Sequence, residues 1–183
     1  MVFAHETHRL MAKRIHEILL VSSPYDLYIM EEEGLLADRI SDEYAILHLT
    51  HAPAITRVST AEEALELVRT QKFDLVITGL RVGKAGNVVD MARNIKAISP
   101  SLPVVLITPE TRQLNQIAKR RFDGAINKIF YWHGDTRIFL AIIKLFEDRI
   151  NAEHDCINEQ VRAIILVEDS PHFYSAYLPL MYT

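Results

Sequence analysis

The 183-residue chain has one cysteine, one tryptophan, six glycines and no long apolar run. The single cysteine, Cys156, excludes an internal disulfide framework and fits a reducing compartment, so a cytoplasmic location is expected. No segment approaches the roughly 18 uninterrupted apolar residues that a membrane-spanning helix needs. The first residues contain no apolar core of signal-peptide length. We therefore expect no membrane partner.

A strong excess of charge of one sign is also missing. The chain carries 20 Lys and Arg against 24 Asp and Glu, which gives a net charge of -4. This balance argues against a broadly basic nucleic-acid surface. The short basic run at 119–121 is typical of a solvated helix end, so no nucleic-acid partner is expected.

Apolar runs of strand type alternate with segments of helical period. The predicted strands are 16–23, 54–59, 73–79, 103–108 and 125–132, and the predicted helices are 24–40, 60–71, 87–98, 111–122 and 135–160. Thr60 and Glu63 predict a capping box at the second helix. Short connections and strands rich in Val, Ile and Leu indicate a parallel sheet covered on both faces. The predicted fold is a doubly wound α/β domain of flavodoxin type, with five parallel strands in the order 2-1-3-4-5.

The last predicted helix is long. It carries an approximate apolar stripe formed by Ile138, Ile142, Leu145, Ala152 and Cys156. A stripe that extends beyond one domain is typical of an interdomain or dimer helix. The expected organisation is an N-terminal helical extension (1–15), the α/β domain (16–150), a helical linker (151–162) and a final βα unit (163–183).

The chain repeats one pattern. "EILLVSSP" at 17–24 and "AIILVEDSP" at 163–171 both read as a strand followed by a proline. We interpret 163–183 as the first βα unit of a second, truncated domain of the same kind. Its apolar strand must pair somewhere, or it forms an exposed edge that invites association or domain swapping. The expected partners are other domains of the same protein, a signalling partner, or a second copy joined through the last helix or a swapped C-terminal segment.

With this layout the chain resembles the receiver domains of bacterial two-component response regulators. The resemblance covers 16–150, restarts at 163, and rests on "ILLVSSP", "STAEEALELV", "FDLVITGLRVG", "LPVVLIT" and "VEDSP" in order. It implies a phosphorelay signalling module. Three longer stretches, "ITRVSTAEEALEL", "IFLAIIKLFEDRINAEHD" and "VEDSPHFYSAYLPLMYT", also resemble the amino-terminal regions of large bacterial proteins. Those proteins join paired receivers to a nucleotide-binding domain of pyruvate phosphate dikinase or phosphoenolpyruvate synthase type.

The receiver pattern implies an acidic pair after the first strand for magnesium and a phospho-accepting aspartate after the third. Aspartyl phosphorylation needs a carboxylate nucleophile and a divalent cation held by oxygen ligands. This chain has Ser22 and Ser23 at the first place and Gly79 at the second, whereas Thr108 matches the hydroxyl that ends the fourth strand. The resemblance therefore implies a pseudo-receiver with no catalytic residue, no metal site in its first domain and no cofactor.

The lysine expected after the fifth strand has two alignments. In one, "DGAINK" makes Lys128 the match; in the other, the strand is "KIFYW" and Trp132 or its neighbour takes the place of the lysine. The second preserves the spacing to the next helix and is slightly preferred. In the truncated copy, Glu168 and Asp169 restore the acidic pair, so magnesium binding is expected only in a complete version of that domain.

Other candidates remain beside this interpretation. Replacing three carboxylates by small neutral groups would open the crevice at the strand ends to a small molecule or a phosphate ligand. Asp74 is an alternative phospho-acceptor, but the sequence places it at the beginning of its strand. Weaker candidates are Asp26 as a substitute metal ligand, the loop "GKAG" as a phosphate cradle, and the histidine pairs 5/8 and 48/51 as metal ligands.

Overall fold

The computed structural model describes residues 11–25, 36–46, 51–83, 86–109, 124–132 and 134–182. Five strands form its main sheet: β1 Glu17–Val21, β2 Ala54–Val58, β3 Leu75–Thr78, β4 Val104–Thr108 and β5 Lys128–Tyr131. The helices in the described ranges are α1 Leu36–Ile46, α2 Ala61–Thr70, α3 Val88–Ile98, α4 Arg137–Asn158 and α5 Pro171–Met181. The predicted helix at 111–122, Asp26, Lys84, the basic run at 119–121, and His5, His8 and His48 lie outside the described residues.

The main sheet is parallel and has the order β2-β1-β3-β4-β5. This confirms the predicted flavodoxin-like architecture and its 2-1-3-4-5 strand order. Val21 pairs with both Val58 and Thr78, and Thr108 pairs with Tyr131. The register therefore brings the carboxyl ends of all five strands to one edge, where the sequence places the candidate site.

Both faces of the sheet are buried, as the apolar strands require. In β1, Ile18 and Leu20 belong to one core cluster, together with buried residues of α1 and α4. Leu19 and Val21 point to the opposite face and belong to a second cluster with buried residues of α2 and α3. The period-two alternation of side chains along a strand produces this division.

Local capping fixes the start of α2 as predicted. Thr60 Oγ1 accepts from the Glu63 backbone N–H at 3.2 Å, and Glu63 Oε2 accepts from the Thr60 N–H at 3.2 Å. The Ser59 N–H also donates to Glu63 Oε2, and the hydrogen bonds that this carboxylate accepts from Ser59 and Thr60 lower the pKa of Glu63. None of the helices in the described ranges is long and apolar enough to cross a membrane.

The structure differs from the prediction in the segment before β1 and in the segment after α4. Within the predicted N-terminal helical extension, the described residues 11–15 are not helical. Their backbone N–H groups at positions 11, 13 and 15 bond to side chains of α4, and so cannot support helical bonding. Residues 1–10 lie outside the described part.

The predicted strand at 163–167 does not form, because no strand in the described chain pairs with it. Ile164, Ile165 and Val167 are 85%, 84% and 89% exposed. The helix predicted to follow does form as α5, but it packs on the first domain, where Tyr174 and Leu178 join the core cluster of α1 and α4.

Candidate functional site

Four predicted site residues meet at the carboxyl edge of the sheet: Ser22, Ser23, Gly79 and Thr108, named here the carboxyl-edge group. Ser22 directly follows β1 and its N–H donates to Val58 O at 3.1 Å. Gly79 directly follows β3 and its N–H donates to Val21 O at 2.8 Å. Thr108 is the last residue of β4. Adjacent parallel strands therefore hold these positions side by side.

Gly79 follows the strand after which the receiver pattern places its nucleophile. It is buried, and its backbone is not in the left-handed region, which among the described glycines is occupied by Gly83, Gly124 and Gly134. The backbone conformation at Gly79 is therefore open to any L-residue. The neighbouring Thr78 hydroxyl donates to Gly79 O at 2.9 Å. The backbone conformation therefore does not account for a glycine at this position.

The two serines supply hydroxyl groups where a carboxylate pair would hold magnesium. Ser22 is fully buried, and within the described part of the chain its Oγ has no hydrogen-bond partner. Ser23 is half-buried. Neutral hydroxyls cannot neutralise a divalent cation as carboxylates do. In the described ranges, no three His, Cys, Asp or Glu side chains are grouped so that they could hold a metal ion.

Lys128 does not join the carboxyl-edge group, and its inclusion in the site is corrected. It is the first residue of β5 and pairs with Val105, three residues before Thr108. The strand runs Lys128–Tyr131, and the Trp132 N–H continues the ladder by donating to Thr108 O at 3.0 Å. The structure thus selects the alignment in which Trp132 follows the fifth strand.

The environment of Lys128 also differs from that of a phosphate-binding lysine. Its Nζ lies 4.1 Å from the centroid of the Tyr174 ring. Burial lowers the pKa of Lys128, and the positive charge of Arg149 lowers it further. The side chain therefore helps to hold α5 against β5 through a cation–π contact.

The acidic pair of the repeated unit is far from the carboxyl-edge group in sequence. Glu168 is half-buried and its Oε1 accepts from the Ser170 N–H at 2.8 Å, which orders the start of α5. Asp169 is exposed. In the described structure Glu168 therefore acts as a local acceptor at a helix start.

Asp74 lies at the amino edge of the sheet, as the sequence predicted. It precedes β3, and its Oδ2 accepts from the N–H groups of His16 and Glu17 at 2.8 and 3.0 Å. The carboxylate is thus bonded to the chain entering β1, at the edge opposite Gly79.

Sequence reasoning missed a row of polar side chains on the second half of α4. Ile15 N–H donates to Glu147 Oε1 at 3.0 Å, Lys13 N–H to Asn151 Oδ1 at 2.9 Å, and Met11 N–H to Asp155 Oδ2 at 3.1 Å. Acceptors four residues apart along a helix have nearly the same spacing as every second N–H group of an extended segment. We call residues 11–16 the N-terminal arm and these three acceptors the α4 ladder.

The α4 ladder replaces the apolar stripe expected beyond residue 145. Ile138 and Ile142 are buried as predicted, but Ala152 is exposed and Cys156 only half-buried, whereas the three ladder residues are buried. Glu147 is compensated by Lys144, whose Nζ lies 2.8 Å from Glu147 Oε2 in a buried ion pair. The four-residue spacing of Glu147, Asn151 and Asp155 was the available sequence indication.

A second missed feature is the cover on edge strand β5. The Tyr174 hydroxyl donates to Ile129 O, and the Tyr131 N–H donates to Ser175 Oγ at 2.9 Å. Burial raises the pKa of Tyr174 to about 12. Side chains of α5 thus satisfy backbone groups that a further strand would otherwise take, which protects this edge from pairing.

Comparison with known proteins identifies the fold. No family model matches the chain, and no curated protein matches it. Among solved structures, a response regulator receiver domain protein (CheY-like) from Methanospirillum hungatei is similar with a TM-score of 0.55 and 14% identity, over 76% of this chain and 98% of that one. A signal receiver domain of an HD domain-containing protein from Pseudomonas fluorescens is similar with a TM-score of 0.54 and 22% identity, over 78% of this chain and 94% of that one.

An adenylate cyclase structure from Rhodopirellula baltica is similar as well, with a TM-score of 0.55 and 14% identity, over 79% of this chain and 98% of that one. At these identities the likeness shows the fold alone. The chain therefore has the CheY-like, flavodoxin-type fold of receiver domains, and its function must be argued from its own residues.

Proposed function

We propose that residues 16–150 form a receiver-type signalling and interaction module that does not carry out aspartyl phosphorylation. The observation that carries the proposal is Gly79 at the end of β3, because a residue without a side chain cannot form an acyl phosphate. Ser22 and Ser23 support it, since they lack the charge that retains magnesium beside an incoming phosphoryl group. The module is therefore proposed to be non-enzymatic. Its single cysteine suits a reducing compartment, so we also propose that it works in the cytoplasm.

The described strands support this function, because they keep the ends of the receiver-type sheet together at the altered positions. Thr108 still ends β4, and the hydrogen bond from Gly79 N–H to Val21 O keeps the strand ends together. Binding to a partner requires a stable surface rather than a nucleophile. A scaffold without its reactive group therefore remains suited to holding other domains in place.

We propose that other domains or a second copy of the chain bind through the exposed segment 163–167. Its four apolar side chains at positions 164–167 remain solvent-exposed, and its sequence repeats that of β1, which is buried between two parallel strands. We propose that the segment is the first strand of a second receiver-type domain and that, when unpaired, it drives association with a second copy. Glu168 and Asp169 would supply the acidic pair of that second domain.

Phosphorylation by acetyl phosphate tests the proposal directly. The chain is incubated with acetyl phosphate and Mg²⁺, and intact mass and peptide mapping are used to locate any phosphoryl group. We expect no adduct on residues 16–150. An adduct mapped to that range, including one on Asp26 or Asp74, would refute the proposal.

A restored variant provides the positive control. Ser22→Glu, Ser23→Asp and Gly79→Asp together introduce the acidic residues present at 168–169 and the missing nucleophile. Circular dichroism verifies that the variant folds, because the charges enter a buried site. A phosphoryl adduct at position 79 in this variant, and none in the natural chain, shows that the assay detects the reaction and that side-chain chemistry is what the natural chain lacks.

A second candidate function, ligand binding at the carboxyl edge, is favoured by two buried polar groups. Within the described residues, Ser22 Oγ and Trp132 Nε1 have no hydrogen-bond partner, and both residues directly follow strands of the sheet. A ligand with matching polar atoms would satisfy them. Thermal shift against nucleotides and phosphorylated metabolites tests this: a saturable rise in Tm that Ser22→Ala abolishes supports it, and no rise refutes it.

A further inference from the structure

A cleft of about 740 Å³ opens at the amino edge of the sheet, the edge opposite the carboxyl-edge group. Its walls come from the N-terminal arm, the residues before β3, the loop between α3 and β4, Asn127, and the outer face of α4. We call it the amino-edge cleft. Its volume is that of a site for a small organic molecule.

Basic groups from two elements line the amino-edge cleft. Lys13, Arg14 and His16 come from the arm, and Arg149 comes from α4. Within the described ranges, no carboxylate lies at ion-pair distance from any of the four.

Asp74 is the acidic residue in the lining of the cleft. Its Oδ2 accepts from the backbone N–H groups of His16 and Glu17. Two backbone donors hold this carboxylate against the arm, and it keeps its negative charge. Lys13, Arg14 and Arg149 outnumber it, so the formal charge of the lining is positive.

The remaining lining is mostly apolar, with polar side chains at positions 99, 101 and 127. Phe73 is half-buried, and Leu102 and Phe146 are buried. Asn127 is exposed, and its Oδ1 accepts from Val104 N–H at 2.8 Å, so its amide nitrogen is the end left to donate outward. Cations beside an aromatic wall suit a ligand that carries an anionic group on a flat apolar body.

We propose that the amino-edge cleft binds an aromatic phosphate of nucleotide size. Arg149 and the basic groups of the arm would hold the phosphate, since guanidinium groups match phosphate oxygens in pairs. Phe73 and its apolar neighbours would contact the ring system. The proposal is independent of the proposed function, because it concerns the opposite edge of the sheet.

Adenosine 5′-monophosphate is the probe that tests the proposal, with ¹⁵N-labelled full-length chain observed by NMR. We expect saturable shifts of amide resonances in the arm and at Ser99, Ser101 and Leu102, and weaker binding of adenosine or inorganic phosphate alone. Raising the salt concentration should weaken the interaction, because its charges are partly exposed.

Arg149→Gln should raise the dissociation constant about tenfold or more, the fold-change expected for losing a charged hydrogen bond. Arg69→Gln, at an exposed arginine in the last turn of α2, is the matched control and should leave binding unchanged. The absence of saturable shifts at the cleft, shifts confined to residues 22, 23, 79 and 108, or equal losses in the two variants would overturn the proposal.

Discussion

Replacing Asn151 by alanine is expected to loosen the N-terminal arm from α4. The Asn151 Nδ2 donates to Lys13 O at 2.6 Å and to Glu147 O at 2.8 Å, and its Oδ1 accepts from Lys13 N at 2.9 Å. Two of these bonds cross to the arm. At about 0.5–1.5 kcal/mol each, they contribute about 1–3 kcal/mol to the free energy of unfolding.

The expected fall in Tm depends on the size of the chain. A domain of this size changes its Tm by about 2–4 °C per kcal/mol, so Asn151→Ala should lower Tm by about 2–12 °C. Hydrogen exchange gives a local measurement, because the Lys13 N–H loses its acceptor directly while the Ile15 N–H keeps Glu147. The Lys13 amide should therefore exchange faster, with a smaller change at Ile15.

The matched control is Glu153→Ala, which removes an exposed side chain from the same helix. Surface changes of this kind usually alter the free energy of unfolding by less than about 0.5 kcal/mol. If Asn151→Ala and Glu153→Ala have the same effect on Tm, and the Lys13 amide exchanges as in the natural chain, then the ladder does not hold the arm and the reasoning is wrong.

Three further predictions concern the helix cap, the covered edge and the exposed segment. Thr60→Ala should lower the free energy of unfolding by about 1 kcal/mol in urea denaturation, whereas Thr60→Ser, which keeps the hydroxyl, should not. Tyr174 has its pKa raised to about 12 by burial, so its contribution to stability is complete below its ordinary value of about 10 and is lost as pH rises through about 12. Tyr174→Phe should therefore lose stability less steeply over that interval, and identical alkaline denaturation profiles would contradict this. Ile165→Lys with Val167→Lys should reduce self-association in light scattering, and an unchanged mass distribution would show that the segment is not the contact.

The fold could be predicted because its pattern is local and repeated. Buried strands such as β1 read as short apolar runs, and the capping box of Thr60 and Glu63 marks a helix start without any tertiary information. The shared location of Ser22, Gly79 and Thr108 could be predicted as well, because residues that end parallel strands share one edge of the sheet.

Other features depend on contacts that local pattern does not encode. Lys128 had two alignments because "AINKIFYW" is apolar throughout most of its length, and pairing with β4 decides between them. The α4 ladder was missed because buried polar residues on a helix resemble a solvated face until the arm that bonds them is known. Segment 163–167 has strand composition but lacks neighbours in the described chain, and a strand without neighbours does not form.

The bond between Met11 N–H and Asp155 Oδ2 places two distant points of the chain next to each other. Residue 11 is therefore held beside the last turns of α4, although 144 positions separate the two bonded residues in the chain. A displacement of that end of the helix would pull the N-terminal arm with it, and through the arm it would reach the start of β1.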